Sequence, residues 1–318
     1  SDPLLPMGMR SQAHEIIRTW AFYSIVKSLY HTGKIPWKDI MISGYVLAKP
    51  GEKISKSKNN GAGSPMALIE RHSADAIRYW AANSKLGTDT FFDEEELRTS
   101  RRFIRKLYNA AKFAILQLGD FSKPKKYDEA ALLPVDRWIL GRVNETTIRA
   151  AALLEDYEIG QARHEIDNLF WKDFCDYYIE IAKERLYQPE KHGAGQRYSG
   201  QVAIYHSLLG ILKLYAIYTP YVTEYIYQEF YRQYEQEISL HQTLWETKET
   251  VQIDIEFGEH LKNVIADVRR EKSEKQLSMK DEIPELVITC PRKFRDHYRR
   301  SEKDIRACTG AQRIVFRN

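Results

Sequence analysis

Cysteine is scarce in this chain: Cys175, Cys290 and Cys308 are the only three in 318 residues. They lie far apart, form no C-x-x-C and leave an odd count, so neither a disulfide framework nor a zinc site is readable, and no metal site is expected. A reducing compartment fits. Long apolar runs are absent too. None approaches the roughly 18 residues of a spanning helix, and no charged-then-apolar leader opens the chain, so no membrane partner is expected and the expected location is the cytoplasm. Internal repeats and low-complexity tracts are also missing. A net charge of +4 is only mildly basic, which permits a nucleic-acid partner without demanding one.

What is present is ordinary globular material, with 43% hydrophobic and 29% charged residues, and a length suited to two or three domains. The opening "SDPLLPMGMRSQ" shows neither a cap nor a strand run and reads as cut from something longer. "AHEIIRTWAFYSIVKSLY" places Ile16, Ile17, Trp20, Ile25 and Leu29 on helical spacing, ended by Gly33 and Pro36. "DIMISGYVL" reads as one buried strand. Ser64 with Pro65 announces a helix start, and Ser73 a second. Further on, Phe103, Leu107, Ala110, Ala114 and Leu118 form one apolar stripe, as do Leu140, Val143, Thr147, Ala150 and Leu154, and again Ile166, Phe170, Phe174, Tyr177 and Ile181. A fourth helix from about Gln201 is interrupted by Pro220. These helices predict an antiparallel bundle over 101–247. In the remainder "VQIDIEF" alternates, a helix follows, and "ELVITC" and "RIVF" are β-rich, which predicts a small α/β unit over 248–318. The expected class is mainly α with α/β parts.

The most unusual stretch is "GEKISKSKNNGAGSP", where Lys53, Lys56 and Lys58 sit among Ser55, Ser57, two asparagines and glycines, just after the expected strand. Lysines on a loop suit a polyphosphate whose charge shifts during transfer. A solvated basic turn is the competing reading on composition alone. The spacing is not that of a P-loop, because the lysines precede the glycines.

"KISKS" at 53–57 resembles the K-M-S-K-S loop of class I aminoacyl-tRNA synthetases, with Ile54 in place of methionine. Its neighbours agree: "AHEIIRTWAFYS" and "GKIPWKDIMISGYVL" precede it, while "ADAIRYW", "LGTDTFF", "VDRWIL", "TPYVTEYIYQEF" and "ISLHQTLW" follow in order. Together they resemble the valine-charging branch, of archaeal type, over essentially the whole chain. The resemblance implies that residues 1–100 are the second half of a Rossmann-like catalytic domain and 101–247 a helical anticodon-binding domain. It implies that Lys53 and Lys56 hold ATP phosphates in the transition state, with Ser55 and Ser57 positioning the loop and His14, Glu15 and Trp20 beside the adenosine. ATP with Mg2+ and valine would be the substrates, tRNA(Val) the partner, and a monomer the expected state. An H-x-G-H element is not found, since the nearest histidines, His192 and His206, are fourteen residues apart. No editing insertion is found either, so this chain by itself is expected neither to activate valine nor to edit. Glu15 stands where the family has aspartate and Asn60 where it has glycine. A stand-alone tRNA-binding module and an isoleucine- or leucine-specific relative remain open alternatives.

From Ser100 to Lys126 eight lysines and arginines face a single acid, Asp120. That imbalance suits a phosphate backbone, against the plainer reading of solvated charge. Arg101, Arg102, Arg105 and Lys106 are the expected tRNA contacts, with Lys183 and Arg185 as further ones. The aromatic run at Phe170–Tyr178 reads as core, and Cys175 as a small core residue. His14 and Trp20 have competing readings, as a helix-start hydrogen bonder and a core residue.

Overall fold

A computed structural model describes residues 4–49, 51–54, 64–122, 127–248 and 251–317. Ser55, Lys56, Ser57 and Asn60 lie outside the described residues. Contacts group the chain into two compact units, one of residues 1–104 with 151–163 and one of 105–150 with 164–318.

In the first unit β1 (Met7–Ala13) pairs in parallel with β2 (Trp37–Ser43) across α1 (Phe22–Thr32). The opening therefore does contain a strand. Its sequence has no β-branched run, and the partner Trp37–Ser43 supplies what local preference does not, since strand formation depends on cross-strand neighbours. Nor is 13–30 one continuous helix. After Ala13 come a 3₁₀ turn, His14–Ile16, and a π turn, Ile17–Ala21, before α1 begins. "DIMISGYVL" becomes two strands, β2 and β3 (Val46–Lys49), and among their described side chains only Trp37 and Leu47 are buried. The break falls at Gly44, where any β-carbon would run into the Thr88 carbonyl. Strand β4 (Glu52–Lys53) pairs antiparallel to β3, and β5 (Thr90–Phe91) parallel to it.

Helix α2 (Pro65–His72) starts as its sequence predicts. The Ser64 hydroxyl accepts from the Ala67 amide at 3.2 Å, with Pro65 in the first turn. Ser73 caps α3 (Ala74–Ala81) in the same way at 3.4 Å. The 151–163 segment is tied to α3 by Arg163, which donates to the Tyr79 carbonyl and the Asn83 side chain, each at 2.9 Å.

Helix α4 (Glu94–Leu116) buries its expected stripe, Phe103, Leu107, Ala110 and Ala114, and Leu118 just beyond it is buried too. In α5 (Pro134–Glu155) the buried positions are Pro134, Val135, Asp136, Trp138, Ile139, Thr146, Thr147 and Ala150, while Leu140, Val143 and Leu154 are half-buried. Next come α6 (Ile159–Asn168), a ten-residue π stretch Leu169–Tyr178, α7 (Ile179–Tyr187), the short α8 (Pro189–His192), α9 (Ala194–Tyr215) and α10 (Pro220–Phe230). The π winding adds a residue to each hydrogen-bonded ring, and so Tyr178 rather than Tyr177 continues the buried face of Phe170 and Phe174.

"VQIDIEF" is not a strand, because it opens α11 (Gln252–Glu274). Ile255, Gly258, Leu261, Ile265 and Val268 line its buried face, and Gly258 lets the Trp138 indole lie directly on the backbone. Helical packing thus overrides the two-residue alternation. The chain ends with β6 (Ile283–Thr289), α12 (Arg295–Thr309) and β7 (Ala311–Arg317), a parallel pair joined by a helix.

Candidate functional site

In the first unit His14, Glu15 and Tyr45 come just after the carboxyl ends of the parallel strands β1 and β2, the side on which open α/β sheets bind ligands. His14 and Glu15 follow β1 directly. The Tyr45 hydroxyl donates to the Glu15 carboxylate at 2.5 Å, and the Tyr45 ring meets the His14 imidazole edge-on with centroids 4.5 Å apart. Tyr45 is itself held by its backbone: its amide donates to the Asp89 carboxylate at 2.8 Å, and its carbonyl accepts from the Thr90 amide at 2.9 Å. The structure thus joins His14 and Glu15 through a residue that sequence reasoning passed over. The only signal was its place after Gly44 at the end of an apolar run.

Trp20 lies in the π turn and is 63% exposed, so it is not a core residue. His14 is likewise exposed. Lys53 closes β4, the strand from which the lysine segment departs. At the end of β1, Gln12 is buried with its amide nitrogen and oxygen both lacking hydrogen-bond partners among the described residues, and the Arg10 guanidinium lies 5.1 Å above the buried Trp37 ring.

The basic residues separate into four situations. Arg98 and Arg102 are each drawn to Glu95 at 3.2 Å. Lys106 sits 5.8 Å from the Trp171 ring centre, and Lys183 pairs with Glu180 at 3.2 Å on the surface. Arg101 and Arg105 are exposed. Arg185 requires a correction, because it is fully buried and no RNA can reach it.

The Arg185 guanidinium donates twice to Asp136, at 2.7 and 2.5 Å, and its Nε lies 3.2 Å from Asp304. Tyr178 and Ser199 also donate to Asp136, and the Gln196 carbonyl accepts from Arg185 at 3.0 Å. Burial works against the charged guanidinium, but Asp136 and Asp304 outweigh it and hold Arg185 protonated. His192 approaches Asp304 at 3.7 Å and Glu184 at 2.8 Å. Sequence alone showed Arg185 after "DYYIE" but not the two aspartates, which lie 49 residues upstream and 119 downstream. This cluster ties α5, α7, α9 and α12 together and is a structural centre. Cys175 is buried as expected, its thiol pushed up to about 12 by burial, so it is no nucleophile.

Two families match successive stretches of the chain. The family described as "tRNA synthetases class I (I, L, M and V)" matches residues 2–93, and "Anticodon-binding domain of tRNA ligase" matches 136–288. A valine–tRNA ligase of Rickettsia felis is 40% identical over 300 residues, covering 91% of this chain and 34% of that protein. One from Anaplasma marginale is 39% identical over 292 residues, covering 90% and 34%. The chain thus spans about a third of the length of the curated relatives it matches. Among solved structures, the ternary complex of Agrobacterium radiobacter LeuRS with tRNA and LeuAMS superposes with a TM-score of 0.58 at 15% identity, over 79% of this chain and 29% of that one. Methionyl-tRNA synthetase of Mycobacterium tuberculosis with methionyl-adenylate gives 0.58 at 19% identity, over 70% and 44%.

Proposed function

Because the chain belongs to the class I tRNA synthetases, in the branch of the valine–tRNA ligases, we propose that it serves ATP-dependent charging of tRNA(Val) with valine. The observation that carries this reading is the sustained identity to valine–tRNA ligases across both units, over 300 residues. In this reading residues 1–100 are the second half of the catalytic domain, 101–247 the anticodon-binding bundle and 248–318 a terminal α/β element. The protein works in the cytoplasm as a monomer. No helix among the described residues is long and apolar enough to cross a membrane.

ATP enters as its magnesium complex and is a substrate. The valine carboxylate attacks the α-phosphorus, the bond to the β-phosphate oxygen breaks, and pyrophosphate leaves. The adenylate then passes valine to the terminal ribose of tRNA. Lys53 and Lys56 meet the charge that gathers on the phosphates, with Ser55 and Ser57 adding neutral donors. Glu15 can accept from a ribose hydroxyl, and Tyr45 fixes its carboxylate for that role. His14 and Trp20, both exposed beside this point in the chain, flank the adenosine. Arg101, Arg102, Arg105, Lys106 and Lys183 grip tRNA phosphates. Valine tRNA transcript, titrated into the chain beside a transcript with a swapped anticodon at two salt concentrations, tests the RNA half of the proposal. Selective, salt-sensitive binding is expected. Equal binding of both transcripts defeats the valine assignment.

A further inference from the structure

The solvent face of α4 has an order of its own. Its buried stripe runs through Phe103, Leu107, Ala110 and Ala114, and stepping by four, three and four residues from Arg101 gives Arg105, Tyr108 and Lys112, all exposed. The two rows are offset by two residues, roughly 200° around a helix of 3.6 residues per turn, so the second row is the outward ridge. No acidic residue occurs between Arg98 and Leu116. The neighbouring basic side chains Arg98 and Arg102 are engaged by Glu95, whereas Arg105 and Lys112 make neither a hydrogen bond nor an ion pair with any described residue.

Between these two cations stands Tyr108, 41% exposed, and against it Tyr225 of α10, 53% exposed. Their ring centres are 6.3 Å apart and the rings tilt by 37°. Two large aromatic faces open to water at the same place are unusual, because aromatic rings carry the largest burial gain of any side chain. Arg105 and Lys112 are seven residues apart, about 10 Å along the helix axis, with the ring pair between them.

We infer that Arg105, Tyr108, Lys112 and Tyr225 form a stacking platform for an unpaired RNA base, the rings taking the base and the two cations the flanking phosphates. An exposed π-face between positive charges favours single-stranded RNA over a duplex, whose bases are already stacked and whose edges are hard to reach. A protein partner is disfavoured by the lack of any acidic counterpart on the ridge, since interface cores are depleted of lysine. The inference rests on the tRNA reading above and names the kind of contact that surface makes.

The test is titration of this chain with an RNA hairpin carrying a fluorescent base analogue in its loop, and with a fully paired duplex of the same length. Wild-type protein should bind the hairpin more tightly and change the fluorescence of the analogue. Tyr108→Ala and Tyr225→Ala should each lose roughly five- to a hundredfold in hairpin affinity without changing the salt slope. Tyr108→Phe should retain binding, because the ring and not the hydroxyl stacks. Arg105→Gln and Lys112→Gln should each lower the salt slope by about one, on the hairpin as on any phosphate backbone. Tyrosine variants that bind hairpin as wild type does overturn the platform while leaving the tRNA reading standing. A wild-type chain that binds no RNA overturns both.

Discussion

Helices α9 and α1 are both rich in apolar side chains, and they end in opposite situations. Of the 22 residues of α9, 14 are buried; of the 11 residues of α1, none is. Phe22, Ile25 and Leu29 form an apolar row on α1 that stays between 37% and 56% exposed. The second unit therefore carries its own consolidated core, capped by an ion cluster, while the first presents a two-stranded parallel sheet, normally a buried arrangement, with its crossover helix open. The candidate phosphate-handling lysines belong to the less consolidated unit and the candidate RNA contacts mostly to the firmer one. Elements that open at low cost are the ones ligands can order, whereas a surface that must hold a large RNA is better built on a rigid bundle.

Hydrogen exchange gives that contrast its largest expected effect. Amides in the middle of α9 should exchange only on global unfolding of their unit, and those of α1 by local opening, several kcal/mol cheaper. Equal protection of the two helices breaks the comparison. Next comes Arg185→Ala, which strands Asp136 and Asp304 in a dry interior. It should cost about 3–5 kcal/mol, read from the urea midpoint of the second unit, with the first unit little changed. An unshifted midpoint would mean that the cluster contributes no net stability.

Lys56→Ala addresses the first unit. In a chain extended to the full length of its relatives it should slow valine-dependent pyrophosphate exchange by about a hundred- to a thousandfold, with valine affinity nearly unchanged, because its interaction grows only as charge develops. Normal exchange in that variant would sink the assignment of the loop.

Local signals were legible wherever a short stretch decides its own structure. Ser64, Pro65 and Ser73 cap their helices by contacts within three residues, and the α4 stripe is set by helical period alone. What escaped was decided at a distance. Strand β1 exists because β2 lies beside it, and "VQIDIEF" coils as the start of a helix that buries Ile255, Phe257 and Leu261. Arg185 looked like a surface cation because nothing nearby in sequence reveals Asp136 or Asp304. At the candidate site His14 and Glu15 were proposed on a resemblance, while Tyr45, which contacts both, becomes visible only when the strand ends meet.

The buried cluster also makes the second unit pH-sensitive in a direction that can be worked out. Burial pushes the Asp304 carboxyl up from 3.8 to about 6, Asp136 adding to the rise and Arg185 and His192 opposing it. A raised folded-state value means that the neutral acid suits the fold better than the ion does. Its stabilisation is therefore complete below about pH 4 and is lost as pH rises through 6, a change of roughly 2–3 kcal/mol. Glu184 behaves in the opposite sense: burial would raise it, but hydrogen bonds from His192 and Lys191 win and lower it, so its contribution is lost on acidification. Asp304→Asn keeps the shape and removes the titrating carboxyl, along with its pairing to Arg185. Relative to wild type, the variant should gain stability steadily between pH 4 and 7 in urea titrations, and Glu184→Gln should remove the opposing acid slope. Parallel pH profiles for wild type and Asp304→Asn would show that Asp304 is already ionised throughout that range, held by Arg185 more strongly than burial resists.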